Sequence, residues 1–242
     1  MVVFQPSMAN DHSSVANGLL GTLEADALAR LRPDLKRIHL KPREVLYRPG
    51  EKIQHVLFPE HGVIVLLAID SKGQSIESGT VGREGASWIS ASVSAPSMPC
   101  ETIVAIEGAA YSLAVTALDR ELKRNESFQH VLTQYSHALL VASMRTTGRV
   151  GLHDVPQRCA RWMLHTLDRV DRDRFAVTHD FLATLMGTTR PTITLVMQMF
   201  EKTGVVSMER GAITVVDRAG LEKMSCECYG IIRQHYKEVG AL

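Results

Sequence analysis

Short apolar runs at alternating positions dominate residues 35–115 and predict a set of β-strands. The runs are separated by turn signals rich in Gly, Pro and Asp. The predicted strands are residues 36–40, 44–47, 54–59, 62–69, 74–81, 101–107 and 109–115. Short strands at intervals of about ten residues favour a small antiparallel sandwich, roll or barrel.

Apolar residues at helical spacing predict helices on both sides of this β region, at residues 19–32, 116–124, 126–149, 155–170 and 219–239. The helix 126–149 carries more apolar residues than one small domain needs to bury. We therefore expect it to pack on a second copy of the chain. The alternative is that the same face simply lies on the β region. The apolar residues concerned are Phe128, Val131, Leu132, Tyr135, Leu139 and Ala142.

Residues 178–200 have the pattern of two short helices joined by a tight turn. Thr178 is the expected N-cap of the first helix, Gly187 ends it, and Thr188 or Thr189 is the expected N-cap of the second. Pro191 fits the first turn of the second helix, where no backbone N–H is needed. This pattern predicts a helix-turn-helix whose second helix suits a DNA major groove, the alternative being two helices that only pack. In the second helix, Ile193, Val196, Met197 and Phe200 are predicted to be buried, and Arg190, Pro191, Thr194, Leu195 and Gln198 to face outward.

A hairpin is predicted directly after the helix-turn-helix. Residues 205–216 form two β-branched runs around the turn Glu209-Arg210-Gly211. A helix-turn-helix followed by a hairpin is typical of a winged helix-turn-helix, which favours DNA binding over a purely structural domain.

The charge balance argues against a strongly basic DNA-binding domain. The chain has 242 residues, enough for two modest domains, and a net charge of +1. Residues 1–150 hold 15 Lys and Arg against 15 Asp and Glu, and residues 151–242 hold 12 against 11. A DNA interface must therefore depend on local basic residues. The weak charge favours an alternative, an effector-binding signalling module whose helix-turn-helix is vestigial.

Several classes of protein and site are not expected from this sequence. No apolar stretch is long enough to span a bilayer, and the first residues lack a secretory signal pattern, so we expect a cytoplasmic protein without a membrane partner. There is no P-loop, nucleophile elbow or paired-histidine metal motif, so we expect no enzyme activity. Cys226 and Cys228 are two residues apart on a predicted helix and should point apart, so we expect reduced thiols and no metal site.

The order of these parts resembles that of the Crp/Fnr family of bacterial transcription regulators. The resemblance covers residues 19–217, and its most specific part is Gly187-Thr188-Thr189-Arg190-Pro191-Thr192-Ile193. It implies an α+β fold with an N-terminal antiparallel β-roll as effector domain (19–125), a long dimerisation helix (126–150) and a C-terminal winged helix-turn-helix (151–242). It also implies a homodimer that binds a palindromic operator in double-stranded DNA and contacts RNA polymerase.

The resemblance also assigns the expected DNA contacts. Arg190 matches the arginine that begins the family's recognition helix and suits a guanine edge. Pro191 and Leu195 stand where the family usually has Glu and Arg, and they offer only apolar contact, so the operator should differ from the usual one. The threonines near the helix N-terminus suit phosphate, and Gln198 suits adenine. The expected interface is Thr178, Thr189, Arg190, Pro191, Thr192, Thr194, Leu195 and Gln198.

The expected effector pocket is formed by Gly82, Arg83 and Glu84, although the same stretch fits an ordinary turn of a β-roll. The family's cyclic-nucleotide binders grip the phosphate with an arginine, but here that position holds Pro99 or a neighbour, and no arginine lies between Arg83 and Arg120. A buried phosphate would lack its cation unless Arg83 serves, so we expect no tight cyclic-nucleotide binding and an effector of unknown identity. No Cys precedes Cys100, so the iron–sulfur cluster of oxygen-sensing relatives is not expected, nor is another cofactor.

Overall fold

The N-terminal half of the protein is an antiparallel sheet flanked by short helices. The computed structural model describes residues 15–87 and 97–240. The strands of the sheet are ordered β1-β5-β3-β4, β2 also pairs with β5, and the pairings are antiparallel. The elements of this half are α1 (Gly18–Gly21), α2 (Ala25–Leu31), β1 (Lys36–Leu40), β2 (Val45–Tyr47), β3 (His55–Ile69), β4 (Ser75–Val81), β5 (Glu101–Ala114) and α3 (Val115–Leu122).

The C-terminal half is helical and contains one small sheet, ordered β6-β8-β7. Its elements are α4 (Glu126–Thr147), α5 (Val155–Leu167), β6 (Arg174–Ala176), α6 (His179–Met186), α7 (Arg190–Lys202), β7 (Val206–Glu209), β8 (Ala212–Val215), α8 (Arg218–Met224) and α9 (Cys228–Glu238). The predicted α+β fold, with a long linking helix and a C-terminal winged helix-turn-helix, is confirmed. Within the described residues, no helix combines the length and the apolar character needed to cross a bilayer.

Strands β3 and β5 are long and continuous, which corrects the prediction of four shorter strands. β3 has 15 residues and β5 has 14. Where breaks were predicted, the pairing shifts register between residues 59 and 64 without ending. Gly62 and Gly108 lie against each other there, and a side chain on Gly108 would overlap the carbonyl group of His61. The two glycines let the strands bend at their closest approach while the pairing continues.

Strand β3 is buried on both faces, and each face belongs to a different apolar cluster. Ile64 packs in the cluster that includes Phe128 of α4. Val63 and Val65 pack in a second cluster that includes Trp162 of α5. A run of consecutive apolar residues is typical of a strand that is covered on both sides. Helix α4 therefore covers one face of the N-terminal sheet, and α5 with the elements around it packs directly on the other.

Two predicted helices are each divided into two by an extended residue. Glu24 (ψ 151°) separates α1 from α2, and Ser225 (ψ 158°) ends α8 before α9 begins. The prediction that Cys226 and Cys228 lie on one helix and point apart is therefore wrong. Their sulfur atoms lie within 4.8 Å of each other, because the helix is interrupted next to them.

The residues of α4 that were expected at a dimer contact face the chain's own core. Phe128, Leu132, Tyr135, Leu139 and Ala142 are buried, and the half-buried Val131 packs against the same cluster. The opposite face of α4 carries Leu140 and Met144, which are 59% and 65% exposed. A partner helix would therefore meet Leu140 and Met144. Helical spacing correctly identified an apolar face on α4. It could not show whether that face is covered by the chain's own sheet or by a second subunit.

A buried ion pair joins the two halves of the chain. Arg169, which follows α5, donates to Glu84 Oε1 through Nη2 at 2.6 Å and through Nε at 3.0 Å. Its Nη1 donates to Thr80 Oγ1 at 2.8 Å, and the side chains of Arg169 and Glu84 are 4% and 1% exposed. Burial alone lowers the pKa of Arg169, but the attraction of Glu84 outweighs this effect and raises the pKa above its ordinary value. The guanidinium therefore remains charged inside the protein.

We expect the substitution Arg169→Met to destabilise the protein by about 3–5 kcal/mol, because it leaves the Glu84 carboxylate buried without its partner. The matched control is Arg172→Met, which removes an ion pair with Glu107 whose side chains are half-exposed. That control should lose only about 0–1 kcal/mol. Urea unfolding of the wild type and both variants measures the difference. Equal losses of stability in the two variants would show that the buried ion pair stabilises the protein no more than the exposed pair does.

Candidate nucleic-acid interface

Helices α6 and α7 form the predicted helix-turn-helix, with the capping residues that the sequence indicates. Thr178 Oγ1 accepts a hydrogen bond from a backbone N–H of the first turn of α6 at 3.3 Å. Gly187 ends that helix in the left-handed conformation (φ 56°, ψ 44°). Thr189 caps α7, and Pro191 lies in its first turn. Each helix end is therefore fixed by local residues.

One face of α7 is buried in the core of the C-terminal half, and the opposite face is open to solvent. Arg190 and Leu195 are each 67% exposed, and Pro191 and Gln198 are also exposed. Met199, which was not predicted, extends this face and is 37% exposed. The open face thus combines a cation, an amide and apolar groups, which are the chemical groups that read base edges in a DNA groove. The buried residues are Ile193, Val196, Met197 and Phe200, as predicted.

The threonine hydroxyls of α7 already form hydrogen bonds within the protein. Thr189 Oγ1 and Thr192 Oγ1 lie 2.9 Å apart. Thr194 Oγ1 donates to the carbonyl oxygen of Arg190 at 3.0 Å and lies 3.1 Å from His179 Nδ1. Thr189 is exposed, whereas Thr192 and Thr194 are half-buried. Because a hydroxyl offers one donor and two acceptor positions, Thr189 is the threonine best placed to add a bond to a phosphate.

Arg190 has an acidic neighbour on α6. Its Nη1 lies 3.7 Å from Asp180 Oδ2, and the two side chains are 67% and 65% exposed. Water screens an exposed pair of this kind, which is worth about 0–1 kcal/mol. The guanidinium can therefore exchange this partner for a base or a phosphate at little loss.

The wing contains a third strand that the sequence pattern did not predict. β7 and β8 form the expected hairpin, and Gly211 in its turn has φ 74°. β6 pairs with β8 and begins at Arg174, in a stretch where the sequence pattern predicted no element. Only Phe175 of this three-residue strand is buried, so no alternating pattern was long enough to indicate it. Arg210 is exposed at the tip of the hairpin.

Arg43 connects the helix-turn-helix to the N-terminal half. Its guanidinium carbon lies 3.6 Å from the centre of the Phe181 ring, and its Nη2 donates to Thr178 Oγ1 at 3.2 Å. Burial lowers the pKa of Arg43, and the negative charge of Asp180 opposes this effect. Thr178, which was expected at the DNA interface, is exposed and also contacts the N-terminal half through Arg43.

The residues expected in an effector pocket lie at the contact between the two halves. Glu84 is held by Arg169, and the backbone N–H of Gly82 donates to Glu84 Oε1 at 3.1 Å. Arg83 forms an ion pair with Asp171, which follows α5. The charged groups of this loop are thus paired with residues of the C-terminal half.

Comparison with known proteins identifies the class of this fold. Residues 157–224 match the family model described as the Crp-like helix-turn-helix domain. FixK2 from Bradyrhizobium japonicum is similar in structure with a TM-score of 0.67 at 14% identity, covering 79% of this chain and 98% of that one. CLP from Xanthomonas campestris, a c-di-GMP-responsive global regulator, has a TM-score of 0.61 at 14% identity, covering 80% and 100%. A CRP/FNR-family transcriptional regulator from Thermus thermophilus has a TM-score of 0.55 at 19% identity, covering 78% and 97%.

No curated protein has a significant sequence match to the chain. The fold nevertheless consists of an N-terminal antiparallel sheet, a long helix and a C-terminal helix-turn-helix, as in these solved structures. The expected resemblance to the Crp/Fnr family is confirmed, both by this fold and by the Crp-like helix-turn-helix domain.

We expect Gly187→Ala to destabilise the protein more than Gly204→Ala. Both glycines have left-handed backbones (φ 56° and 76°), so each substitution should lose about 1–2 kcal/mol. A Cβ on Gly187 would also lie 2.7 Å from Ile76 Cδ1 of β4, whereas a Cβ on Gly204 would meet nothing within 4 Å. Chemical unfolding measures both losses, and combining Gly187→Ala with Ile76→Ala should remove the extra loss. Equal losses at the two glycines would mean that the Ile76 side chain moves aside without loss of stability, and would contradict the prediction.

Proposed function

We propose that the protein is a homodimeric regulator of transcription, and not an enzyme, that binds a palindromic site in double-stranded DNA through α7. The observation that carries the proposal is the open face of α7, which exposes Arg190, Leu195 and Gln198 opposite a fully buried stripe. The Crp-like domain at residues 157–224 supports the same assignment. We assign residues 19–125 to an effector-type domain, 126–150 to the linking helix and 151–242 to the DNA-binding domain.

The side chains on α7 suit particular base edges. Arg190, at the start of the helix, suits the two acceptors of guanine, and Gln198, about two turns later, suits adenine. Leu195 lies between them and suits the methyl group of thymine. Thr189 at the helix N-terminus and Arg210 at the wing tip suit phosphates, which position the protein without reading sequence.

We infer that two copies of the chain associate through the outward face of α4. Leu140 and Met144 lie one turn apart on that face, and both are large apolar residues exposed to solvent. Pairing α4 with the α4 of a second copy would cover both residues. A two-fold dimer presents two α7 helices, which suits a palindromic site whose half-sites are about one helical turn of DNA apart.

Arg190→Ala should weaken binding to the preferred DNA site by about 1–3 kcal/mol and relax the preference at one base pair in each half-site. The preferred site is first selected from random DNA in vitro, and affinities are then measured by fluorescence anisotropy at one fixed salt concentration. Arg120→Ala removes the same charge from α3 in the N-terminal half and should leave the affinity unchanged. Two outcomes would favour an effector-binding module with a vestigial helix-turn-helix. One is that Arg190→Ala leaves the affinity and the selected motif unchanged, and the other is that the wild type selects no motif.

The double substitution Leu140→Glu, Met144→Glu should convert the dimer into a monomer, because it places charges in the apolar contact between the two α4 helices. Sedimentation at micromolar protein concentration measures the oligomeric state. Leu195→Glu is the matched control, since it adds a charge at an equally exposed apolar position of α7 and should leave the dimer intact. A monomeric wild type, or a double variant that remains dimeric, would contradict the assigned contact.

A further inference from the structure

Four side chains that can ligate a metal ion lie together in the C-terminal half, outside the two helices of the helix-turn-helix. His153 lies in the hinge, defined here as the turn between α4 and α5, and Cys226, Glu227 and Cys228 lie where α8 gives way to α9. One ring nitrogen of His153 and the two sulfur atoms all lie within 4.8 Å of one another. His153 Nε2 is 3.7 Å from Cys228 Sγ and 3.5 Å from Glu227 Oε1.

The two distances measured from His153 are close to those between ligands of one tetrahedral zinc ion. Zn–S bonds of about 2.3 Å and Zn–N bonds of about 2.0–2.1 Å, at the tetrahedral angle, put a sulfur and a nitrogen about 3.6 Å apart. A nitrogen and a carboxylate oxygen would be about 3.3 Å apart in the same site. The distances from His153 to Cys228 and Glu227 differ from these values by only a few tenths of an ångström. Two sulfur ligands would be about 3.8 Å apart, so Cys226 Sγ, which lies within 4.8 Å of the other two ligand atoms, needs a movement of about 1 Å at most to complete the coordination.

The local backbone brings these ligands to one place. In an uninterrupted helix, residues at i and i+2 point about 200° apart, which would separate the two thiols. Ser225 has an extended backbone (φ −81°, ψ 158°) and ends α8 before Cys226, while Cys228 is the first residue of α9. Asp154, next to His153, caps α5 by accepting a hydrogen bond from the Gln157 N–H at 2.9 Å. This cap fixes the chain that carries the imidazole.

The burial of the ligands and their chemistry indicate which ion fits. Cys226 and Cys228 are 4% and 1% exposed, the His153 side chain is 14% exposed, and the Glu227 side chain is 67% exposed. Two thiolates and one imidazole favour Zn²⁺ over cations that prefer oxygen ligands. We propose that His153, Cys226 and Cys228 bind one Zn²⁺ ion, and that Glu227 or a water molecule from the open side is the fourth ligand.

Such an ion would connect the hinge to the last helix of the chain. It would fix the start of α9 beside His153, while the other end of α9 already packs on α4 through Tyr236, whose ring stacks on Tyr135 at a centroid distance of 6.1 Å. The start of α9 would then be held against the hinge, and its other end against α4. Bound zinc would stabilise one orientation of that half relative to α4. The metal site itself does not depend on whether α7 reads DNA.

The test uses the full chain, reduced and stripped of metal with a chelator. It should take up one Zn²⁺ ion per chain in competition with a chromophoric chelator, and Zn²⁺ should raise its Tm. Co²⁺ should produce sulfur-to-cobalt absorption and the intense visible bands of a tetrahedral site. Cys226→Ser, Cys228→Ser and His153→Ala should each weaken Zn²⁺ binding by more than about 100-fold. Replacing a residue that only supports a ligand weakens metal binding by about 10–100-fold, so a larger loss identifies a ligand.

Two control variants separate this site from other thiols and imidazoles. Cys100→Ser, in the N-terminal half, and His130→Ala, on the exposed surface of α4, should both bind Zn²⁺ as the wild type does. Because a variant at the site could fail to fold, the wild type alone must also give the cobalt spectrum. A wild type without sulfur-to-cobalt absorption, or one that binds Zn²⁺ no more tightly than Cys228→Ser, would overturn the proposal. A disulfide between Cys226 and Cys228 that persists in the presence of a reductant would overturn the proposal as well.

Discussion

Both faces of β3 carry apolar side chains, so the N-terminal sheet is stable only when it is covered on both sides. α4 covers one face with residues such as Phe128, and α5 and its neighbours cover the other with residues such as Trp162. Burying a large apolar side chain contributes about 1.5–3 kcal/mol, so each cover is a substantial part of the stability. The DNA-binding half is therefore part of the protein's core as well as the carrier of α7.

Polar contacts across this packed face determine how the two halves sit on each other. Apolar burial has no direction, whereas a buried charge is tolerated only beside its partner. Two pairs of buried side chains, Arg161 with Glu77 at 3.3 Å and Arg169 with Glu84, join α5 and the residues after it to β4 and the loop that follows β4. The loop expected to hold an effector is thus in direct contact with the DNA-binding half. A change in the position of Glu84 would be transmitted to Arg169 without an intermediate.

Interruptions of helices create both the exposed face of α7 and the cluster of His153, Cys226 and Cys228. Gly187 ends α6 in a left-handed conformation, which lets α7 start at an angle that exposes Arg190. Ser225 ends α8 with an extended backbone, which brings Cys226 and Cys228 to the same side as His153. In both cases one residue outside the helical conformation decides which side chains come together.

The sequence by itself determined the helix-turn-helix, its wing hairpin and the outward residues of α7. Thr178, Gly187 and Thr189 act through hydrogen bonds and backbone angles within a few residues, so local chemistry was sufficient. Only the tertiary structure decided that β3 and β5 are continuous, that the apolar face of α4 lies on the chain's own sheet, and that His153 meets two cysteines more than seventy residues away. Periodicity shows that a face is apolar but does not show what will cover it. No local pattern in the sequence indicates which distant side chains the tertiary packing brings within bonding distance.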